Sequence, residues 1–145
     1  LDQKGCLYTP HVLGVMKGQT VLIKNSDNTL HNIHSMAEKN DQFNYAMPSV
    51  VKEKKTIFNE TEEPFYIKCD VHPWMKSWVL VEDHPYFAVT DEQGNFSIEN
   101  IPPGQYEVIA WQEKFKMKRS ILKTIVIKDS SETVQDFVFV KPSKK

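Results

Sequence analysis

The sequence has few cysteines, few glycines, no long apolar run and almost no net charge. It contains two cysteines and five glycines in 145 residues, and its net charge at pH 7 is −1. A membrane-spanning helix needs roughly 18 or more consecutive apolar residues, so we predict no transmembrane segment. The balanced charge gives no electrostatic basis for binding nucleic acid. The glycines form no phosphate-binding loop, and a chain of this length can bury one good core or two small ones.

The stretch with the most chemistry is residues 69–75, which read Cys-Asp-Val-His-Pro-Trp-Met. The runs on its two sides, 65–68 and 76–81, are typical of strands, so we predict that 69–75 forms a tight loop between them. Its proline stiffens that loop. A thiolate, an imidazole and a thioether within seven residues favour copper, which alternates between Cu(I) and Cu(II).

A trigonal copper site needs a second imidazole, which an earlier element has to supply. Residues 30–35 contain His31 and His34 and are predicted to form a short strand. Because side chains two residues apart share one face of a strand, these two histidines are not expected to face the same metal ion. One of them is therefore the expected ligand.

Over about residues 5–82 the sequence resembles the cupredoxins, the blue copper electron carriers, and is most similar to amicyanin and plastocyanin. The residues that carry the resemblance are Cys69-x-x-His72-x-x-Met75, with proline after the second histidine, and Val21–Asn25 followed by His31–His34. The resemblance implies an all-β, Greek-key sandwich. It also implies one copper ion held in a plane by His31, Cys69 and His72, with Met75 as a long axial ligand. His34 is then expected to be a partly buried, hydrogen-bonded histidine.

The same resemblance assigns roles to the neighbours of the ligands. Asn32 is expected to tie its strand to Asp70, the residue after the cysteine. His72 is expected to be the port for electrons, with Trp74 beside it as an aromatic rim where a partner docks. Since a single type 1 copper has no open position for a substrate, the resemblance implies electron transfer rather than catalysis, and no catalytic residue is predicted.

The resemblance also implies partners and a location. We expect a redox partner, such as a cytochrome or an oxidoreductase, or a larger membrane-associated complex. The abrupt start at Leu1 favours a leader that has been removed, and hence the periplasm or another extracytoplasmic bacterial compartment. Two alternatives remain. The first is a structural or docking subunit of a larger assembly, in which copper is absent or secondary. The second is a copper-delivery protein, but the five methionines are scattered, which argues against it. A structural zinc site is disfavoured because methionine is a poor zinc ligand.

Cys6 complicates this interpretation, because it is predicted at the start of a strand that reaches the ligand end of the sandwich. Three roles are open. It is a free or otherwise paired thiol that leaves the copper site intact, or it forms a disulfide with Cys69 and removes the key ligand, or it joins the metal site. We rank the intact mononuclear copper site first, the disulfide second and the additional ligand third.

The second half, residues 84–145, has a different pattern from residues 1–83, and we predict a domain boundary between them. Strands are predicted at 86–90, 96–99, 105–111, 124–128 and 134–140, with a hairpin turn at 91–95. Thr90-Asp91-Glu92-Gln93-Gly94-Asn95-Phe96-Ser97-Ile98 and Pro102-Pro103-Gly104-Gln105-Tyr106 resemble the carboxypeptidase regulatory-like, or transthyretin-like, family. The resemblance implies a smaller prealbumin-like β-sandwich that is a structural or docking module without chemistry. Its first strands are either replaced by the last cupredoxin strand or lie upstream of Leu1, and we favour the second.

Overall fold

The fold is all-β, as predicted. A computed structural model describes residues 1–114, 120–129 and 131–140. The strands in these residues are β1 Asp2–Gln3, β2 Tyr8–Thr9, β3 Val12–Met16, β4 Thr20–Asn25, β5 His31–Ser35, β6 Asn44–Met47, β7 Glu53–Ile57, β8 Glu62–Lys68, β9 Lys76–Glu82, β10 Gly104–Trp111 and β11 Ser120–Ile127. The part of the chain that the structure describes contains no helix that could span a membrane.

The chain divides into two compact units, residues 1–98 and 99–145. In the first unit, one sheet has the strand order β2-β1-β4-β7 and the other has the order β3-β9-β8-β5-β6. The β1–β4 and β3–β9 pairs are parallel, and the remaining pairs are antiparallel. The non-sequential strand order agrees with the predicted Greek-key sandwich.

Side chains from both sheets form one hydrophobic core. In β4 the residues alternate between exposed and buried positions, with Val21 and Ile23 inside, as a strand with one buried face requires. The other buried residues of the cluster come largely from the second sheet and from loops: Tyr8, Val15, Ile33, Ala37, Met47, Phe58, Phe65, Ile67, Cys69, Met75, Val79 and Val81. Cys69 and Met75, the two end residues of the loop 69–75, are part of this core.

The second unit contains a two-stranded antiparallel sheet of β10 and β11. Its register runs from Gly104 opposite Ile127 to Trp111 opposite Ser120. The predicted strands at 105–111 and 124–128 are therefore confirmed. Side chains along both strands alternate between half-buried and exposed.

Three predicted strands in the second half are wrong, because residues 86–90, 96–99 and 134–140 have no regular strand structure. Alternating apolar residues favour an extended chain, but a strand also needs a neighbour that accepts its backbone hydrogen bonds. Phe87, in the first of these runs, instead packs its ring over Gly14 of β3. The turn predicted at 91–95 is present, with a hydrogen bond from the Gly94 amide to the Asp91 carbonyl.

Candidate metal centre

The loop that joins β8 to β9 is held closed by its own backbone. The amide of Met75 donates to the carbonyl of His72 at 2.9 Å, and the amide of Cys69 donates to the carbonyl of Met75 at 3.3 Å. The Cys69 sulfur is buried and lies 3.4 Å from the His72 amide nitrogen and 3.5 Å from the Asn32 amide nitrogen. These two backbone N–H groups hold the sulfur in position on the loop.

Two imidazole rings converge beside this sulfur. His31, the first residue of β5, is fully buried, and its Nδ1 lies 3.1 Å from Nδ1 of His72. The Cys69 Sγ lies 3.8 Å from the same His72 nitrogen. Two nitrogens that are each about 2 Å from one ion are separated by a distance of this size. The predicted ligands His31, Cys69 and His72 are therefore brought together.

Met75, the predicted axial ligand, lies at the end of the same loop. Its side chain is buried in the core cluster that also contains Cys69. The donor set of two imidazoles, a thiolate and a nearby thioether fits copper in its chemistry.

Asp27 is a part of the site that sequence reasoning missed. Its Oδ2 lies 2.8 Å from Nε2 of His31, so we assign the proton to Nε2, which leaves the lone pair of Nδ1 directed at His72. Hydrogen bonds from the amides of Cys6 and Gly5 and from His31 lower the pKa of Asp27 to about 2, although its partial burial opposes this. In the sequence, the only indications of its role were its place in the turn-forming stretch 25–28 and its position four residues before His31.

Cys6 occupies a hairpin tip and not the start of a strand, which corrects the prediction. The antiparallel pair β1–β2 is closed by the two residues Gly5 and Cys6, which have φ angles of 64° and 55°. The metal-binding atoms of Cys6, His31 and His72 all lie within 4.8 Å of one another. Cys6 and Cys69 are both free thiols, so the disulfide considered above is not formed.

A polar network ties β5 to the ligand loop. The Asn32 side chain accepts a 2.5 Å hydrogen bond from the Asp70 amide and donates to the Asp70 carboxylate at 3.1 Å. The Lys68 ammonium, 2.9 Å from that carboxylate, and donors on Asn44, His34 and Asn32 hold the pKa of Asp70 well below its usual range. His34 is partly buried and bonded to Asp70 at 2.9 Å, as predicted.

Trp74 lies on the outside of this site. It is 64% exposed, and its ring centroid is 5.3 Å from that of His72. Its indole N–H donates to the carbonyl of Cys6 at 3.0 Å. Trp78, by contrast, is buried within β9.

Several solved structures are similar to rather more than half of this chain. A purple cupredoxin from Nitrosopumilus maritimus is 28% identical, with a TM-score of 0.45, over 55% of this chain and 85% of that chain. A copper-containing nitrite reductase from Thermus scotoductus SA-01 is 19% identical, with a TM-score of 0.51, over 57% of this chain and 22% of that one. A reduced Cu(I) form of an amicyanin variant is 26% identical, with a TM-score of 0.49, over 56% of this chain and 78% of that chain.

These structural neighbours are cupredoxins, and the match to the nitrite reductase supports the predicted fold. None of the proteins with curated functions matches this chain in sequence. The resemblance of residues 84–145 to the carboxypeptidase regulatory-like family stays a prediction. The model of a different family matches residues 60–135, from just before β8 to past β11. This range is more than half of the 145 residues. The chain therefore belongs to the family described as polysaccharide lyase family 4, domain II.

Proposed function

We propose that residues 1–83 form a copper-binding domain that carries single electrons in an extracytoplasmic compartment. The observation that supports this most directly is the convergence of the His31 and His72 Nδ1 atoms at 3.1 Å, with the Cys69 sulfur 3.8 Å from His72. His31, Cys69, His72 and Met75 would hold one copper ion. Copper, when bound, supplies a one-electron Cu(II)/Cu(I) couple.

The residues around the ligands keep them in place before any metal binds. His31 lies on β5, and the hydrogen bonds between Asn32 and Asp70 join that strand to the loop that carries the other ligands. Asp27 fixes the orientation of the His31 ring from the opposite side. Ligands that are held by such neighbours move little, and a small rearrangement favours rapid electron transfer.

The route for electrons is proposed to be His72. His31 and Cys69 are buried, whereas His72 is partly exposed and lies against the exposed ring of Trp74. A protein partner that docks on Trp74 would therefore approach the imidazole edge of His72. We expect that partner to be a cytochrome, an oxidoreductase or a larger membrane-associated complex.

The proposed ligand set also favours a carrier over an enzyme. Four protein ligands leave no position at which a substrate can bind the ion. The burial of His31, Cys69 and Met75 argues against a delivery protein as well, because delivery requires that a partner reach the donors.

We propose that residues 84–145 form a structural or docking module. The β10–β11 sheet exposes two large apolar side chains, Ile109 and Leu122.

The test is to load the metal-free chain with Cu(II) and record visible absorption and electron paramagnetic resonance spectra. We expect a strong thiolate-to-copper band that loses at least half of its intensity in Cys69→Ser and persists in the control His84→Gln, since His84 is an exposed histidine. The band should be bleached by ascorbate, restored by ferricyanide and bleached again by a small reduced cytochrome. A spectrum without the band, or one that does not recover after reduction, would overturn the proposal.

A further inference from the structure

We infer that Cys6 is an additional ligand of this metal centre, so that the site offers two thiolates instead of one. The inference rests on the proposed copper site and deepens it. Its basis is that the sulfur of Cys6, one ring nitrogen of His31 and one ring nitrogen of His72 all lie within 4.8 Å of one another. Cys69 lies beside the same group, with its sulfur 3.8 Å from Nδ1 of His72.

The backbone of Cys6 supports a functional role for its side chain. The two residues that close the β1–β2 hairpin both have positive φ, which is the pattern of a type I′ turn. Glycine or asparagine is preferred at the second position of this turn, because the left-handed conformation is sterically unfavourable for most other residues. A cysteine at this position therefore raises the free energy of the turn. The turn itself does not require a thiol, and strained positions of this kind cluster at functional sites.

The hairpin tip is also fastened to the metal centre. The Asp27 carboxylate accepts hydrogen bonds from the amide of Gly5 at 2.8 Å and from that of Cys6 at 2.9 Å. The oxygen that binds the Cys6 amide also lies 2.8 Å from Nε2 of His31. One carboxylate thus positions both the histidine and the cysteine. On the other side, the indole of Trp74 donates to the Cys6 carbonyl at 3.0 Å.

The β2 side of the hairpin has an anchor of its own. The hydroxyl of Tyr8 donates to the carbonyl of Asn32 at 2.6 Å, and its ring is buried in the core. This bond holds the hairpin against β5, the strand that begins with His31. A thiol on a tip that is fixed from three sides is preorganised as a ligand.

With Cys6 the donors around the ion would be two thiolates and two imidazoles, and the Met75 thioether would be a fifth, weaker donor. Soft sulfur ligands favour Cu(I) and also accept Zn(II) or Co(II). Cobalt therefore serves as a probe, because its near-ultraviolet bands report the number of thiolates bound to it.

The experiment titrates the reduced, full-length chain with Co(II) and compares it with Cys6→Gly and Cys69→Ser. Glycine suits the left-handed backbone of residue 6, so Cys6→Gly removes the thiol without straining the turn, and circular dichroism verifies its fold. We expect each variant to lose about half of the thiolate-to-cobalt absorption. We also expect each to bind Co(II) about tenfold more weakly or worse, as measured against a chromophoric chelator.

A second measurement uses the unsubstituted chain and does not depend on a variant. Cys6 is partly exposed, so iodoacetamide should alkylate it in the metal-free chain, and bound Zn(II) should protect it at least tenfold in rate, as followed by mass spectrometry. Equal alkylation with and without Zn(II), or a Cys6→Gly spectrum equal to that of the unsubstituted chain, would overturn the inference. In either case a thiolate band that is lost only in Cys69→Ser would leave the proposed function intact. The absence of any thiolate band in the unsubstituted chain would overturn both.

Discussion

The carboxylate of Asp27 lies 2.8 Å from Nε2 of His31, on the side of the ring that faces away from His72. A carboxylate behind a ligating imidazole selects the tautomer and raises the basicity of the nitrogen that binds the metal. His31 is fully buried, so this contact also satisfies a ring nitrogen that water does not reach. The affinity of the site should therefore depend on a residue that does not itself bind the ion.

We predict that Asp27→Asn weakens Cu(II) binding by about 10- to 100-fold. The substitution keeps the size of the side chain but removes the charge that holds the Nε2 proton of His31. A competition titration against a chromophoric chelator measures the effect. Asp41→Asn, at an exposed position, is the matched control and should bind like the unsubstituted chain. Equal affinities for the two variants would show that Asp27 does not position His31.

Asn32→Ala is expected to destabilise the metal-free protein by about 1–3 kcal/mol, the range for a buried group that loses its hydrogen-bond partner. The substitution leaves the Asp70 amide without the 2.5 Å bond to the Asn32 side chain. Urea unfolding at pH 7 gives the free energy of unfolding, and Asn28→Ala, at an exposed position, is the control. If the two variants are equally stable, the link between β5 and the ligand loop contributes nothing.

Local patterns were enough to predict the strands that carry the proposed ligands. Strand β4 has one buried face and a clear alternation, and residues 65–68 of β8 alternate in the same way, whereas β9 is buried on both faces over residues 77–79. In β5 the two-residue repeat of a strand separated His31 from His34, and the two histidines do contact different partners, His72 and Asp70. At 134–140 the same kind of alternation led to a wrong prediction of a strand. Alternation does not reveal whether a hydrogen-bonding neighbour is present.

The contributions of Asp27 and Cys6 could not be predicted in the same way. Asp27 meets the amide of Cys6, which is 21 residues away in sequence, because β1 pairs in parallel with β4. The hairpin tip meets His72 because the tip folds towards a loop more than 60 residues later. Contacts of this kind arise from the packing of elements, and neither composition nor spacing encodes them visibly.

Protonation of Glu62 should lower the free energy of unfolding at low pH. Its buried carboxylate accepts hydrogen bonds from the backbone amides of Glu38, Lys39 and Asn40 and from the Asn40 side chain. Burial opposes ionisation, but these bonds outweigh it and hold the pKa of Glu62 below its ordinary value of 4.5. Because the folded pKa is lower than the unfolded one, the stabilisation is complete above about pH 4.5 and is lost as the pH falls through the folded pKa.

We therefore expect Glu62→Gln to lower the free energy of unfolding of the metal-free chain by about 1–3 kcal/mol at pH 7. The difference from the unsubstituted chain should shrink between pH 5 and pH 3. Urea unfolding at several pH values measures it, with the exposed neighbour Glu63→Gln as the control. A difference that stays constant with pH would mean that the charge of Glu62 is not what stabilises the loop 38–40.

The packing of Phe87 on Gly14 predicts a coupled pair of substitutions. A Cβ atom at position 14 would lie 2.5 Å from two carbons of the Phe87 ring, so Gly14→Ala should destabilise the protein by about 1–3 kcal/mol as the ring is displaced. In a Phe87→Ala background the same change should cost less than about 0.5 kcal/mol, because no ring is left to displace. Phe96→Ala, in the same segment but 42% exposed, should not relieve the cost. Urea unfolding of the four chains of the cycle measures the coupling, and additive effects would mean that residues 83–98 do not pack on β3 through Phe87.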